Sequence, residues 1–262
     1  MIDTHCHLTF DVLYEQVAKV IAEAERAGVT QMISVGTQPS DCRRALRLAS
    51  RHDNVFTTAG LHPHYVEQER DHVELVEGLR SLAEQDRVVA LGEMGLDYYY
   101  DDPPREMQRQ ALRWQLETAA EIDDPDLPIV IHNRDATDDV LAMLKGSGIP
   151  GERFVFHCFT GTSEEVEKIL DFGAMVGFTG IVTFANAKGV AEASDRVPMD
   201  RLLVETDSPF LTPEPHRKVR PNQPKYVVEV AKFLAERRGM GYDVLAGQVD
   251  ANARRVFRLP PG

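Results

Sequence analysis

Short apolar runs alternate with amphipathic stretches along the whole chain. The runs fall at residues 2–5, 31–35, 55–59, 88–91, 129–131, 154–156, 174–178 and 201–204, each bounded by turn-forming or polar residues, and read as strands. Between them apolar positions recur at helical spacing. Val12, Leu13, Val17, Val20, Ile21 and Ala24 mark a helix over 11–27, closed by Gly28 as its C-terminal cap. Further helices are predicted from a Ser40 or Asp41 cap to Arg51, then over 71–85, 105–122, 136–145, from Thr162 to Gly173, and over 188–194, 225–238 and 243–257. Eight strands, each followed by a helix or loop, predict an α/β fold of the (β/α)8 TIM-barrel type, with residues 1–262 as a single domain. The structural rival is a doubly wound open sheet. It would want a Gly-x-Gly-x-x-Gly turn after the first strand, and none is present.

Polar residues of metal-ligand type sit at the carboxyl ends of these strands. Asp3, His5 and His7 alternate along the first, so all three are expected on one face, with Cys6 turned to the other and packed. A His-x-His pair is a weak signal alone, because such histidines also occur as core residues. Its weight comes from Glu93, His132, His157 and Asp207, each at or just past the end of a later run. The carboxyl ends of barrel strands are where active sites are built. Neutral imidazole and carboxylate suit zinc, manganese or magnesium, so two divalent ions are the expected cofactors. Glu93 lies between Gly92 and Gly95, which permit close backbone approach, and its two oxygens can bridge two cations. Glu205 and Asp207 share a face, one as ligand and one as an acceptor behind it. Of the aromatic residues, Tyr98-Tyr99-Tyr100 either stack a base or cover the barrel rim, and Trp114 reads as core.

Charge refines the substrate class. The net charge is −13, with 22 Arg against 7 Lys, so long duplex nucleic acid is repelled in general. Two basic groupings stand against that background: Arg134 after His132, and His216-Arg217-Lys218-Val219-Arg220 after the last strand. Guanidinium groups beside a metal site suit phosphate. His62 and His64, flanking Pro63, are expected to contact a negatively charged substrate, together with Arg134 and Arg217. No run of eighteen apolar residues exists, so no membrane span is expected. A strand starting at Ile2 leaves no room for a signal peptide, and three unpaired-looking cysteines fit a cytoplasmic protein.

The stretches Ile2-Asp3-Thr4-His5-Cys6-His7-Leu8, Gly92-Glu93-Met94-Gly95-Leu96-Asp97-Tyr98, Ile131-His132-Asn133-Arg134-Asp135 and Val204-Glu205-Thr206-Asp207-Ser208-Pro209 resemble the TatD family of metal-dependent deoxyribonucleases, within the amidohydrolase-like barrels. Gly60-Leu61-His62-Pro63-His64, Asn222-Gln223-Pro224 and Asn252-Ala253-Arg254-Arg255 extend the resemblance over the chain. It implies that His5, His7, Glu93 and Asp207 bind one ion and that Glu93, His132 and His157 bind a second. It also implies hydrolysis of single-stranded DNA or RNA ends from the 3′ side; in such a hydrolysis Asp207 is expected to take the proton of the attacking water, with Glu205 holding neighbouring groups. No obligate protein partner is implied. One departure is that Arg217-Lys218-Val219-Arg220-Pro221 lacks the glycine common in that family's loop. Two rivals remain at this stage. The same residues would serve a carbonyl-directed lactonase, cyclic amidase or deacylase, or a barrel kept as a non-catalytic adaptor.

Overall fold

In this computed structural model residues 1–68, 72–100 and 102–261 are described. Eight strands pair in sequence order, every pair parallel: β1 (Ile2–Cys6), β2 (Gln31–Ser34), β3 (Val55–Ala59), β4 (Val88–Asp97), β5 (Ile129–Arg134), β6 (Phe154–Phe156), β7 (Met175–Phe178) and β8 (Leu202–Val204). The ends of the order meet through a Cys6–Ser208 bridge, backed by His7 N–H to Ser208 O at 2.7 Å and Asp207 N–H to His5 O at 2.9 Å. The helices are α1 (Asp11–Tyr14), α2 (Val17–Arg26), α3 (Pro39–Ala49), α4 (His72–Ala83), α5 (Arg105–Glu121), α6 (Thr137–Gly146), α7 (Ser163–Phe172), α8 (Lys188–Arg196), α9 (Val227–Arg237) and α10 (Tyr242–Phe257). This is the (β/α)8 barrel.

One buried cluster takes a side chain from every strand: Ile2, Ile33, Phe56, Ala90, Val130, Val155, Met175 and Leu203. Ala253, Phe257 and Leu259 from α10 and its tail join it, so the last helix floors the barrel and leaves the opposite, carboxyl end for chemistry. The larger cluster, with Leu13, Ile21, Met32, Val55, Leu116, Ile129 and Phe178, packs helices onto the sheet.

Three expectations need correction. The first predicted helix is broken into α1 and α2, because Gln16 leaves helical geometry at φ −128° and ψ 25°. The α3 cap is Gln38, not Ser40 or Asp41; the Asp41 carboxylate instead accepts from Thr37 N–H and Oγ1–H, both at 3.1 Å. Strands β4 and β5 run past their apolar segments, so Glu93, Asp97 and His132 lie within strands rather than after them. Gly95 pairs with His132 and has φ 151°; a Cβ there would sit 1.9 Å from the His132 carbonyl oxygen, so only glycine allows this approach. The predicted start of α4 at Asp71 lies outside the described residues.

Candidate metal centre

Seven ionisable side chains from six strands or their following loops converge at the carboxyl end of the barrel. Glu93 is at the middle of the set and 2% exposed. Its Oε1 lies 2.7 Å from His157 Nε2, 2.8 Å from His132 Nδ1 and 3.4 Å from His62 Nε2, while Oε2 lies 3.3 Å from His5 Nε2. Asp207 Oδ1 is 3.2 Å from His7 Nε2 and 3.8 Å from His5 Nε2. Three overlapping triads therefore place donor atoms within 4.8 Å of one another: His5, Glu93 and His157; His5, His7 and Asp207; His62, Glu93 and His132.

Glu205, Asp97 and Asp3 stand behind these side chains. Glu205 is buried; its Oε1 accepts from Cys158 N–H at 2.5 Å and lies 3.6 Å from His157 Nδ1, and its Oε2 accepts from Thr4 Oγ1–H at 3.2 Å. Room for it comes from Gly177, where a Cβ would fall 2.6 Å from Glu205 Oε2. Asp97 Oδ2 receives two rings, His132 Nε2 at 3.1 Å and His64 Nε2 at 2.9 Å. In the sequence Asp97 stands out only as part of a motif. Its signal was the Glu93-x-Gly95-x-Asp97 alternation, which places both acids on one face once β4 is extended. Asp3 does not join His5 and His7. The β1–β2 register shifts between Asp3 and Cys6, breaking simple alternation, and Asp3 turns to Thr206 N–H at 2.9 Å and Thr206 Oγ1–H at 2.7 Å. Cys6 is buried as expected.

The candidate substrate contacts divide. His62, His64 and Arg134 line a cavity of about 490 Å³ with His7, Glu93, Asp97, His132, His157 and Asp207. His64 reaches inward to Asp97. His62 Nδ1 accepts the His64 N–H at 3.1 Å, so the ring proton is on Nε2, facing Glu93 and His132. Burial pushes His62 down to about 4, so its ring is neutral at pH 7 and presents a dipole, not a cation, to the cavity. Arg134 holds its guanidinium 3.8 Å from the Tyr99 ring and makes no ion pair among the described residues. Arg217 is not among the cavity-lining residues; its guanidinium lies over Phe184 at 3.7 Å. Tyr98 is tied back through its hydroxyl to Asp139 at 2.7 Å, whereas Tyr100 lines the cavity.

Electrostatics make the donor set anion-centred. Burial alone would raise Glu93, but His157 above all, with a hydrogen bond from His132, holds it ionised, well below the usual carboxylate range. Burial likewise opposes charge on His157, yet Glu93 and Glu205 raise it well above the ordinary imidazole range. His132 and His7 are also raised against burial, the first by its bonds to Asp97 and Glu93 and the second by its bond to Asp207. Even so, His5 Nδ1 and Nε2, His7 Nδ1, Glu93 Oε2 and His157 Nδ1 are buried without a hydrogen-bond partner among the described residues. Buried polar atoms without partners are costly, and a coordinated cation satisfies atoms of this kind. The residues therefore fit a divalent metal. Because ligating nitrogens must be bare, metal uptake near pH 7 is expected to expel at least one proton and to tighten as pH rises. Calorimetric titration in buffers of different ionisation enthalpy measures this; uptake with no net proton release would contradict the upward shift of these histidines.

Comparison with known proteins agrees with this geometry. The family model of TatD related DNases matches residues 2–258. An uncharacterized metal-dependent hydrolase, YabD of Bacillus subtilis, is 37% identical over 99% of both chains. The 3′-5′ ssDNA/RNA exonuclease TatD of Pantoea ananatis is 37% identical over 99% of this chain and 100% of its own. The crystal structure of YjjV, a TatD homologue from Escherichia coli, superposes with a TM-score of 0.91 at 31% identity, covering 99% of this chain and 98% of that one. With eight parallel strands and a histidine–carboxylate nest at their carboxyl ends, this chain belongs to the TatD related DNase family and is a metal-dependent hydrolase.

Proposed function

We propose that this protein hydrolyses phosphodiester bonds at single-stranded DNA or RNA ends, proceeding from the 3′ side, with two divalent ions (magnesium, manganese or zinc) held around Glu93. The observation that carries this reading is Arg134, a guanidinium without an ion-pair partner among the described residues, in the same cavity as the Glu93-centred donor set. Such a group calls for an anionic substrate, and a fork of donors suits phosphate oxygens. Relatives named as 3′-5′ ssDNA/RNA exonucleases support the choice of nucleic acid.

His5, His7, Glu93 and Asp207 would hold one ion, and Glu93, His132 and His157 the other. Bound divalent ions would supply an ionised water and neutralise charge on the attacked phosphate. Glu205, fixed by Cys158 N–H and Thr4, lies 3.6 Å behind the His157 ring as a charge partner, and Asp97 holds the His132 ring by a hydrogen bond. Asp207 Oδ1 is engaged by His7, which leaves Oδ2 to receive the water's proton. Arg134 orients the non-bridging oxygens, and the neutral His62 donates from Nε2. Arg217, stacked on Phe184, is left to steer the strand from outside the cavity. The fold and donor set equally suit a lactone or amide carbonyl, but a neutral carbonyl substrate would leave Arg134 unanswered.

The test is the metal-loaded protein on three substrates: an end-labelled linear single strand, a covalently closed circle of the same sequence, and a lactone panel. Loss from the 3′ end of the linear strand, an inert circle and slow lactones are expected. Arg134→Ala should leave metal content unchanged and make the plot of log affinity against log salt shallower by about 0.7, one phosphate's share on a single strand. Equal cleavage of circle and linear strand, or faster lactone turnover, would contradict the proposal.

A further inference from the structure

We propose that Phe10 and Phe210 form a base-stacking subsite that receives the face of one unpaired nucleobase beside the scissile phosphate. This rests on the phosphodiester reading above and names how the same cavity grips its substrate. The two rings follow the neighbouring strands β1 and β8, and both line the cavity. Phe10 stacks on His7, with ring centroids 4.8 Å apart and 28° between planes. Phe210 meets Phe10 at 5.9 Å and 82°. Two rings at nearly a right angle make an apolar corner one ring away from a candidate metal ligand. Phe210 is 50% exposed, although an exposed Phe forgoes the burial that normally places it in a core.

The platform is fixed in place. Phe210 N–H donates to Asp207 O at 3.0 Å. The fully buried Asn222 donates from Nδ2 to Phe210 O at 2.5 Å and to Thr206 O at 3.0 Å. The turn carrying Asp207 and the turn carrying Phe210 are thus one clamped unit, which anchors the Phe210 backbone beside the candidate metal ligands.

The occupant follows from the opposite wall. In a barrel ordered β1 to β8, the carboxyl ends of β4 and β5 face those of β1 and β8; the loop after β4 carries Tyr100, and Arg134 ends β5. A ligand spanning the cavity therefore meets a cation on one side, metal-ligand chemistry in the middle and bare aromatic faces on the other. A nucleotide end, with phosphate and a flat base, matches all three. Phenylalanine offers no donors or acceptors, so the corner accepts any base and reads no sequence, as stacking platforms for single strands do. A base within a duplex cannot present its face to the ring, which makes an unpaired end a requirement.

The experiment measures kcat/KM of the metal-loaded protein on end-labelled single strands that carry an abasic nucleotide on one or the other side of the scissile phosphate. With the native chain, removing the base at one of these positions should cost at least about fivefold, the lower end of what a base–ring stack contributes. With Phe210→Ala that abasic penalty should shrink to less than about twofold, and with Phe210→Trp it should persist. Phe210→Leu keeps apolar bulk without a ring face and should behave as Phe210→Ala; its melting transition guards against a folding artefact. A full abasic penalty retained in Phe210→Ala and Phe210→Leu would overturn the subsite while leaving the phosphodiester reading intact. If the native protein cleaves neither intact nor abasic strands, the phosphodiester reading fails and the subsite falls with it.

Discussion

Replacing Glu93 by alanine is expected to lower hydrolysis by roughly a thousandfold or more and to leave fewer than two ions per chain. The reason is geometric. One oxygen lies within 2.8 Å of both His157 and His132 and the other 3.3 Å from His5, so no other carboxylate in the nest touches both triads that Glu93 joins. Lewis-acid stabilisation by metal contributes several kcal/mol, and each ~1.4 kcal/mol lost is tenfold in rate. Glu93→Gln separates volume from charge: it fills the same space but removes the anion that raises His157 above the ordinary imidazole range and, after Asp97, helps raise His132. It should lose activity almost as fully as Glu93→Ala. Elemental analysis per chain beside a thermal melt is the check. Two tightly bound ions in a folded Glu93→Ala variant would show that this carboxylate is not shared.

The barrel was legible because its signals are local and repeated. Eight short apolar runs separated by helix-period stretches admit few other arrangements, and the ligand types recur at one strand end after another. What escaped the sequence was set by contacts between distant segments. The ends of β4 and β5 carry glycine, acid and imidazole rather than apolar residues, so their pairing through Gly95 and His132 leaves no hydrophobic trace. For that reason Asp97 stands in the sequence only as part of a motif, although it holds both His64 and His132. Asp3 was misplaced because a register shift in β1 overrides strict alternation. Charge alone points Arg217 toward substrate, and charge does not reveal that Phe184 lies beneath its guanidinium. The Phe10–Phe210 corner joins residues two hundred positions apart, which only closure of β8 onto β1 brings together.

Removing the metal should have the other largest effect, because the chain's own groups offer no substitute for it. The nest is a ring of imidazoles around a buried anion, with five donor or acceptor atoms among them lacking partners within the described residues. His62, neutral at pH 7, and the guanidinium of Arg134 are suited to orienting a phosphodiester, not to ionising water. The direct measurement is release of label from the 3′ end of a single strand by protein stripped with chelator, its metal content verified by elemental analysis, before and after manganese, magnesium or zinc is returned. Hydrolysis is expected to vanish on stripping and to return with each ion to a different extent. Full activity in protein verified as metal-free would contradict metal-dependent phosphodiester hydrolysis at this site.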